Sequence, residues 1–384
     1  MATLEFLDGF EYGVLSSAGG GIANTIVGTI GTQIAIETSI VRTGGYSLKI
    51  APSAGVASQF KKTITTRNQY SGRVYFRIGS FPASATSQIL QMELTSGLDP
   101  AFYLTTTALQ LVHSGGTVVA TSGTLTTGVW YRLDWSFNVT TNPWAVKASI
   151  DGVEFANAGP ALAGSTVINL QFGRSSVDQA CTVYFDDCLI TTAAADYPLG
   201  PGEIMALRPD ADGTHVNPGS FTNDAGQAIG GAGGSAFQYL DEDPWTTNRT
   251  DYVTQTVAGS TDELRVTFPD SRADGIINGV RAWYALDSSG TQAFAGGVAD
   301  IYSSTTVTNV APSGDWSNNI WEAYAANVTP NSSPWTRAQL DAIEGEIGHA
   351  TAQPANPRWD GLIVQYDFTP RVPKTSPYPQ LLAH

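Results

Sequence analysis

Cysteine, histidine and methionine are scarce in this chain, with two, four and three residues respectively in 384. His113, His215, His349 and His384 are scattered, and no pair has the HxxxH or HExxH spacing of a histidine-based metal centre. Cys181 and Cys188 share one strand-like segment, CTVYFDDCLI, so at ~3.3 Å per residue their Cα atoms lie roughly 23 Å apart, too far to bridge. Two such thiols fit folding in a reducing cytoplasm. Charge is sparse as well, at 14% of residues, and 34 acidic against 19 basic side chains give a net charge of −15. That sign opposes a phosphate backbone or an anionic bilayer, which excludes nucleic acid as a partner. No apolar run reaches the ~20 residues of a membrane-crossing helix, so no membrane insertion is expected. The acidic start, MATLEFLDGFEYG, lacks the basic-then-apolar order of a secretory leader. No GxSxG elbow, P-loop or dinucleotide fingerprint occurs, so no catalytic residues are assigned and no enzymatic activity is expected.

What the chain has is glycine, proline and alternation. Forty glycines and twenty prolines favour short strands and many turns. In GVWYRLDWSFNVTTNPWAVKASIDGV, Trp130, Arg132, Asp134 and Ser136 fall on one face and Tyr131, Leu133, Trp135 and Phe137 on the other, the period of a half-buried strand. Val146, Ala148 and Ile150 alternate next, and Asp151-Gly152 closes a tight turn into Val153–Phe155. The fold class is therefore all-β. The length exceeds one core, and domains of ~200 residues predict two tandem β-sandwiches of jelly-roll type, the second with one short α-helix. The first domain spans residues 1–195 and a Pro- and Gly-rich linker spans 196–203. The second runs over 204–368 with a helix near 334–348, begun by Ser333-Pro334 and carrying Leu340, Ile343 and Ile347 at helical spacing. Four prolines make 369–384 an extended arm.

Candidate sites are few. Asp8 and Glu11 near the start and Asp186-Asp187 near the end of the first domain would converge if the terminal strands pair. Their hard oxygens could hold calcium, or the aspartates could simply cap turns. No other cofactor is expected. Asp241 and Asp243 could share a strand face as a glycosidase pair does, but Pro244 ends any strand there. His215 sits in a polar loop that turn chemistry explains. Trp135 shares a face with Leu133 and Phe137 and belongs to the core, whereas Trp144, after Asn142-Pro143, is the exposed candidate for stacking on a sugar ring. Trp316, Trp321 and Trp359 lie near loops where a protein partner could bury them.

The segments LDGFEYG, GGYSLKI, SGRVYFRIGSFP, TTGVWYRLDWSF, ASIDGVEF and VYFDDCLI resemble a concanavalin A-like or laminin-G-like jelly roll of tailed-bacteriophage virion proteins, over residues 1–195. ALRPDADGTH, YLDEDPWTTNRTDYV and SPWTRAQLDAIEGEIGHA resemble the companion domain of such proteins. The resemblance implies a structural protein of the virion, assembled in the host cytoplasm, as a minor tail or tail-tip component. A capsid decoration or head-fibre protein is the alternative within that family. It implies other virion proteins as partners, a homo-oligomer, and adhesion to host-surface glycan. A soluble carbohydrate-binding module protein is the competing reading.

Overall fold

The computed structural model describes residues 4–371 apart from 16–24, 98, 114–115, 160–164, 175, 177–178, 216–217, 232, 242–250, 257–261, 289–291, 295–298, 304–305, 310–313, 317–321, 329–333 and 349–356. Trp321, Asp243 and nearly all of the expected arm fall outside the described residues. The architecture is all-β, with two pairs of antiparallel sheets as the alternation predicts.

In the first sandwich an eight-stranded sheet runs in the order Val153–Ala156, Ala145–Ile150, Trp130–Asn138, Gln69–Ser80, Thr182–Thr191, Ser47–Ile50 and Ile34–Glu37, and Leu4–Asp8 also pairs with Thr182–Thr191. Its seven-stranded partner is ordered Thr117–Thr121, Leu109–His113, Ala101–Leu104, Ser87–Leu94, Val167–Arg174, Ser58–Arg67 and Thr25–Val27. Rings from the two sheets interlock, Phe102 with Trp135 at 6.2 Å and Phe172 with Phe185 at 4.9 Å, within the range of favourable aromatic pairs. The alternation along Trp130–Asn138 holds, yet its polar face is also buried, Asp134 at 0% and Ser136 at 4% exposure. The cause is the chain from Ala194 into the expected linker, which lies across that face. Ser136 Oγ donates to the Ala194 carbonyl, and the Gly200 N–H donates to Asp134 Oδ1 at 3.1 Å.

The second sandwich pairs a six-stranded sheet with a five-stranded one. The first is ordered Phe221–Asn223, Val253–Gln255, Pro357–Pro370, Gly275–Ser288 and Glu322–Asn327, with Glu203–Leu207 also on Pro357–Pro370. The second is ordered Ala211–Asp212, Leu264–Thr267, Ile343–Ile347, Ala299–Ser303 and Thr306–Asn309. The α-helix is shorter than the spacing predicts. It covers Arg337–Asp341, capped by Thr336 with Gln339 in a reciprocal capping box. Ile343 and Ile347 instead belong to a strand, because 343, 345 and 347 also share parity, and Gly345 leaves room for Leu362 where any Cβ would collide with it. Ala236–Tyr239 forms a 3₁₀ turn.

The six-stranded sheet is buried on both faces. Tyr284, Leu362, Val364 and Tyr366 fill the second core, while Trp283 and Ile363, of opposite parity, join the core of the first sandwich. Tyr12 meets Trp283 at 5.5 Å between ring centroids. The two sandwiches thus share apolar packing.

Candidate functional site

Strand Leu4–Asp8 pairs antiparallel with Thr182–Thr191, setting Asp8 opposite Cys188. The register of Thr182–Thr191 against Gln69–Ser80 slips between Asp186 and Leu189, and Asp187 adopts φ +50°. At this bulge the outer neighbour of Thr182–Thr191 changes from Ser47–Ile50 to Leu4–Asp8. Asp8, Glu11, Asp186 and Asp187 are thereby gathered at the junction of the two sandwiches, as the pairing of terminal strands predicts, and all are buried.

Their oxygens are turned to hydrogen-bond donors. Asp8 accepts from the Phe10 N–H at 2.6 Å and from the Tyr12 hydroxyl at 3.2 Å. Glu11 accepts from the Gly45 N–H at 3.0 Å. Asp186 accepts from the N–H groups of Arg42 and Asp187, both at 2.8 Å. Asp187 pairs with the Arg42 guanidinium and accepts from the Thr43 hydroxyl and from the Ile204 N–H, the latter at 2.6 Å. Among the described residues no three His, Cys, Asp or Glu side chains form a group that could hold a metal ion.

Burial pushes the Glu11 carboxyl up to about 8, and the nearby Asp187 charge acts in the same direction against the Gly45 hydrogen bond. Burial likewise raises Asp8 to about 6, opposed by its hydrogen bond from Phe10 and by the Arg281 charge. Asp186 lies well above the usual carboxylate range, through burial and then the charge of Asp187.

The same elements carry the polar docking of the domains. Arg73 pairs with Asp367, Gly9 N–H donates to Gln365 Oε1 at 3.2 Å, and Arg208 Nη2 donates to the Glu11 carbonyl at 2.6 Å. Asn327 Nδ2 reaches the Leu4 carbonyl at 2.7 Å. The carboxylate group predicted as a site is the structural knot between the domains. Its arginine partners lie far apart in sequence, and no local spacing announces them.

The tryptophans require correction. Trp144 is only 1% exposed and packs in the first core. It shares parity with Val146 and Ala148, so its ring points inward even before the strand formally begins. Trp359 is fully buried in the second core against Phe221, 6.3 Å between centroids, and presents no ring to a partner. The backbone of Trp316 lies in a two-stranded ribbon opposite Gln292.

Two open clefts were not singled out by the sequence. One, of about 180 Å³, lies between the edge strands of the first sandwich and is lined by Ser122, Thr124, Leu125, Tyr131, Ile150 and Phe155 among others. Tyr131 and Phe155 are half-buried, and the Tyr131 hydroxyl is held by the Thr126 backbone N–H at 2.9 Å. Val153 beside them is 73% exposed. The other cleft, of about 270 Å³, is lined by Thr66, Arg67, Asn68, Gln69, Thr166 and Thr192. Neither lining contains a histidine, cysteine or carboxylate.

No protein-family model matches this sequence, and no curated protein does. Among solved structures, the cellulose induced protein Cip1 is similar at TM-score 0.38 and 17% identity, over 49% of this chain and 98% of that one. The alginate lyase AlgAT5 from Polysaccharide Lyase family 7 follows at 0.31 and 10%, over 39% and 79% of the two chains. The alginate lyase from Corynebacterium sp. stands at 0.32 and 9%, over 38% and 77%. Likeness at this level assigns no role to any residue here.

Proposed function

We propose that this chain is a non-enzymatic saccharide-binding protein, built as two β-sandwiches that share apolar and polar contacts. The observation that carries the reading is the cleft between the edge strands, where Tyr131 and Phe155 offer aromatic surface beside the polar residues Ser122 and Thr124. A pyranose ring has an apolar C–H face and a polar edge, and such a platform matches both. Binding rather than catalysis is supported by the lining, which holds no histidine, lysine or carboxylate to activate a hydroxyl and no carboxylic acid–base pair. A glycan array probed with the purified protein and with Tyr131→Ala tests it. Selective binding that the variant loses supports the reading, and a wild-type protein that binds no glycan removes it.

A second setting, a structural part of a tailed-phage virion, is favoured by one observation. The segments that resemble such proteins, LDGFEYG and ALRPDADGTH, supply Asp8, Gly9, Glu11 and Arg208 to the domain junction. In this setting the saccharide cleft faces the host surface from the tail tip, and homo-oligomeric packing together with contacts to other virion proteins fixes its orientation. Mass spectrometry of purified particles decides it: the chain at fixed stoichiometry supports the setting, and its absence from particles refutes it.

A further inference from the structure

The cleft lined by Thr66, Arg67, Asn68, Gln69, Thr166 and Thr192 lies at the far end of the first sandwich from Tyr131. Tyr131 is paired with Phe76 and Asn138 with Gln69, so the two clefts are separated by seven residues of strand, roughly 23 Å. Four strand ends from both sheets build it: Ser58–Arg67 turns into Gln69–Ser80, Thr166 precedes Val167–Arg174, and Thr192 follows Thr182–Thr191. The turn is fixed from beneath. The Val139 N–H donates to the Asn68 carbonyl at 2.9 Å, and the Tyr70 hydroxyl donates to the Thr65 carbonyl.

The side chains of the turn are left unengaged. Among the described residues none hydrogen-bonds to the side chains of Arg67, Asn68 or Gln69, and no carboxylate lies within ion-pair distance of Arg67. Arg42, Arg73, Arg132, Arg265 and Arg337 each have an acidic partner, whereas Arg67, like Arg77 and Arg281, forms no ion pair among the described residues. Glu5, close to this turn, accepts from the Thr65 N–H at 2.6 Å. Among the described residues the cleft therefore presents one guanidinium fork without an acidic partner, two carboxamides and the hydroxyls of Thr66 and Thr192, while the Thr166 hydroxyl lies 3.1 Å from that of Thr95. A guanidinium binds a carboxylate through two parallel N–H···O bonds, and carboxamides and hydroxyls can both give to and accept from sugar hydroxyls.

We propose that this cleft is a second saccharide site and takes a sugar bearing a carboxylate, a uronic acid. The proposal rests on the saccharide-binding reading for its ligand class and uses different residues. Isothermal titration with oligosaccharides of glucuronate and galacturonate, and with the neutral glucose and galactose oligomers, tests it on the full chain. The expected result is a preference for the acidic oligomers, weakened tenfold or more by Arg67→Ala, weakened less by Arg67→Lys, and unchanged by Tyr131→Ala. The affinity falls as salt rises. Equal binding of acidic and neutral oligomers, or acidic binding untouched by Arg67→Ala, overturns it. If the acidic oligomers fail while a neutral glycan still binds through Tyr131, this site falls and the first stands. If no saccharide binds at all, both fall.

Discussion

Arg73 and Asp367, 294 positions apart, form an ion pair across the domain boundary in which neither side chain is exposed. The pair belongs to the inner strand Gln69–Ser80 of one sandwich and the central strand Pro357–Pro370 of the other. Gly202 lies against the Arg73 guanidinium, where a Cβ would collide with it. Removing one partner strands a buried charge, so Asp367→Ala is expected to cost about 3–5 kcal/mol of unfolding free energy. The double replacement Arg73→Met with Asp367→Leu leaves no stranded charge and should recover most of that loss. Urea denaturation of the three proteins measures both.

The junction also sets a pH dependence. Glu11 ionises at about 8 when folded against an ordinary value of 4.5, so the folded state holds the extra proton between those limits. Stability linked to Glu11 is fully present below about pH 4.5 and is lost as pH rises toward 8. The groups facing it are Asp187 and Asp186 with Arg42 across the bulge, and Arg208 from the second domain. Glu11→Gln keeps the acceptor for Gly45 and removes the ionisation. The variant is expected to lose less stability than the wild type between pH 5 and pH 8.5, a difference on the order of a few kcal/mol. Parallel slopes in the two proteins would dismiss the assignment.

Trp283 is a residue of the second domain that completes the first core. Trp283→Ala is expected to destabilise the whole chain by about 3–5 kcal/mol. A fragment ending at residue 195 lacks both Trp283 and the segment that covers Asp134. It should bind a hydrophobic dye and unfold at a lower temperature than the intact protein.

Trp144 and Tyr131 separate stability from binding. Trp144→Ala opens a cavity in the first core and should cost about 3–5 kcal/mol while leaving saccharide affinity of the folded protein unchanged. Tyr131→Ala, at a half-buried position, should do the reverse. Equal effects of both on affinity would mean that neither residue marks the cleft.

Chelation gives a further test of the carboxylate group. Since the oxygens of Asp8, Glu11, Asp186 and Asp187 are engaged by N–H and O–H donors, EDTA is expected to leave Tm unchanged. A drop that added calcium restores would reassign these residues as ligands.

Much of the fold was legible because period-two alternation is local. The strands around Trp135 and the turn at Asp151-Gly152 follow directly from it. The Ile343–Ile347 strand was misread because positions 340, 343 and 347 satisfy a helical repeat, whereas 343 and 347 also share strand parity. Trp144 was misread for the opposite reason, since its loop context hid a parity it shares with Val146. The burial of Asp134 depends on a distant segment, the Gly200 N–H, 66 positions away, donating to its carboxylate. The two clefts arise where strand ends from different sheets meet, and no run of consecutive residues encodes them.

The measurement that bears most directly on a saccharide-binding function is nuclear magnetic resonance of the isotope-labelled protein, titrated with the strongest glycan from the array. We expect shift changes centred on Ser122–Leu125, Tyr131 and Phe155, abolished in Tyr131→Ala while the rest of the spectrum is retained. Changes confined to other surfaces, or the same changes in the Tyr131→Ala protein, would contradict it.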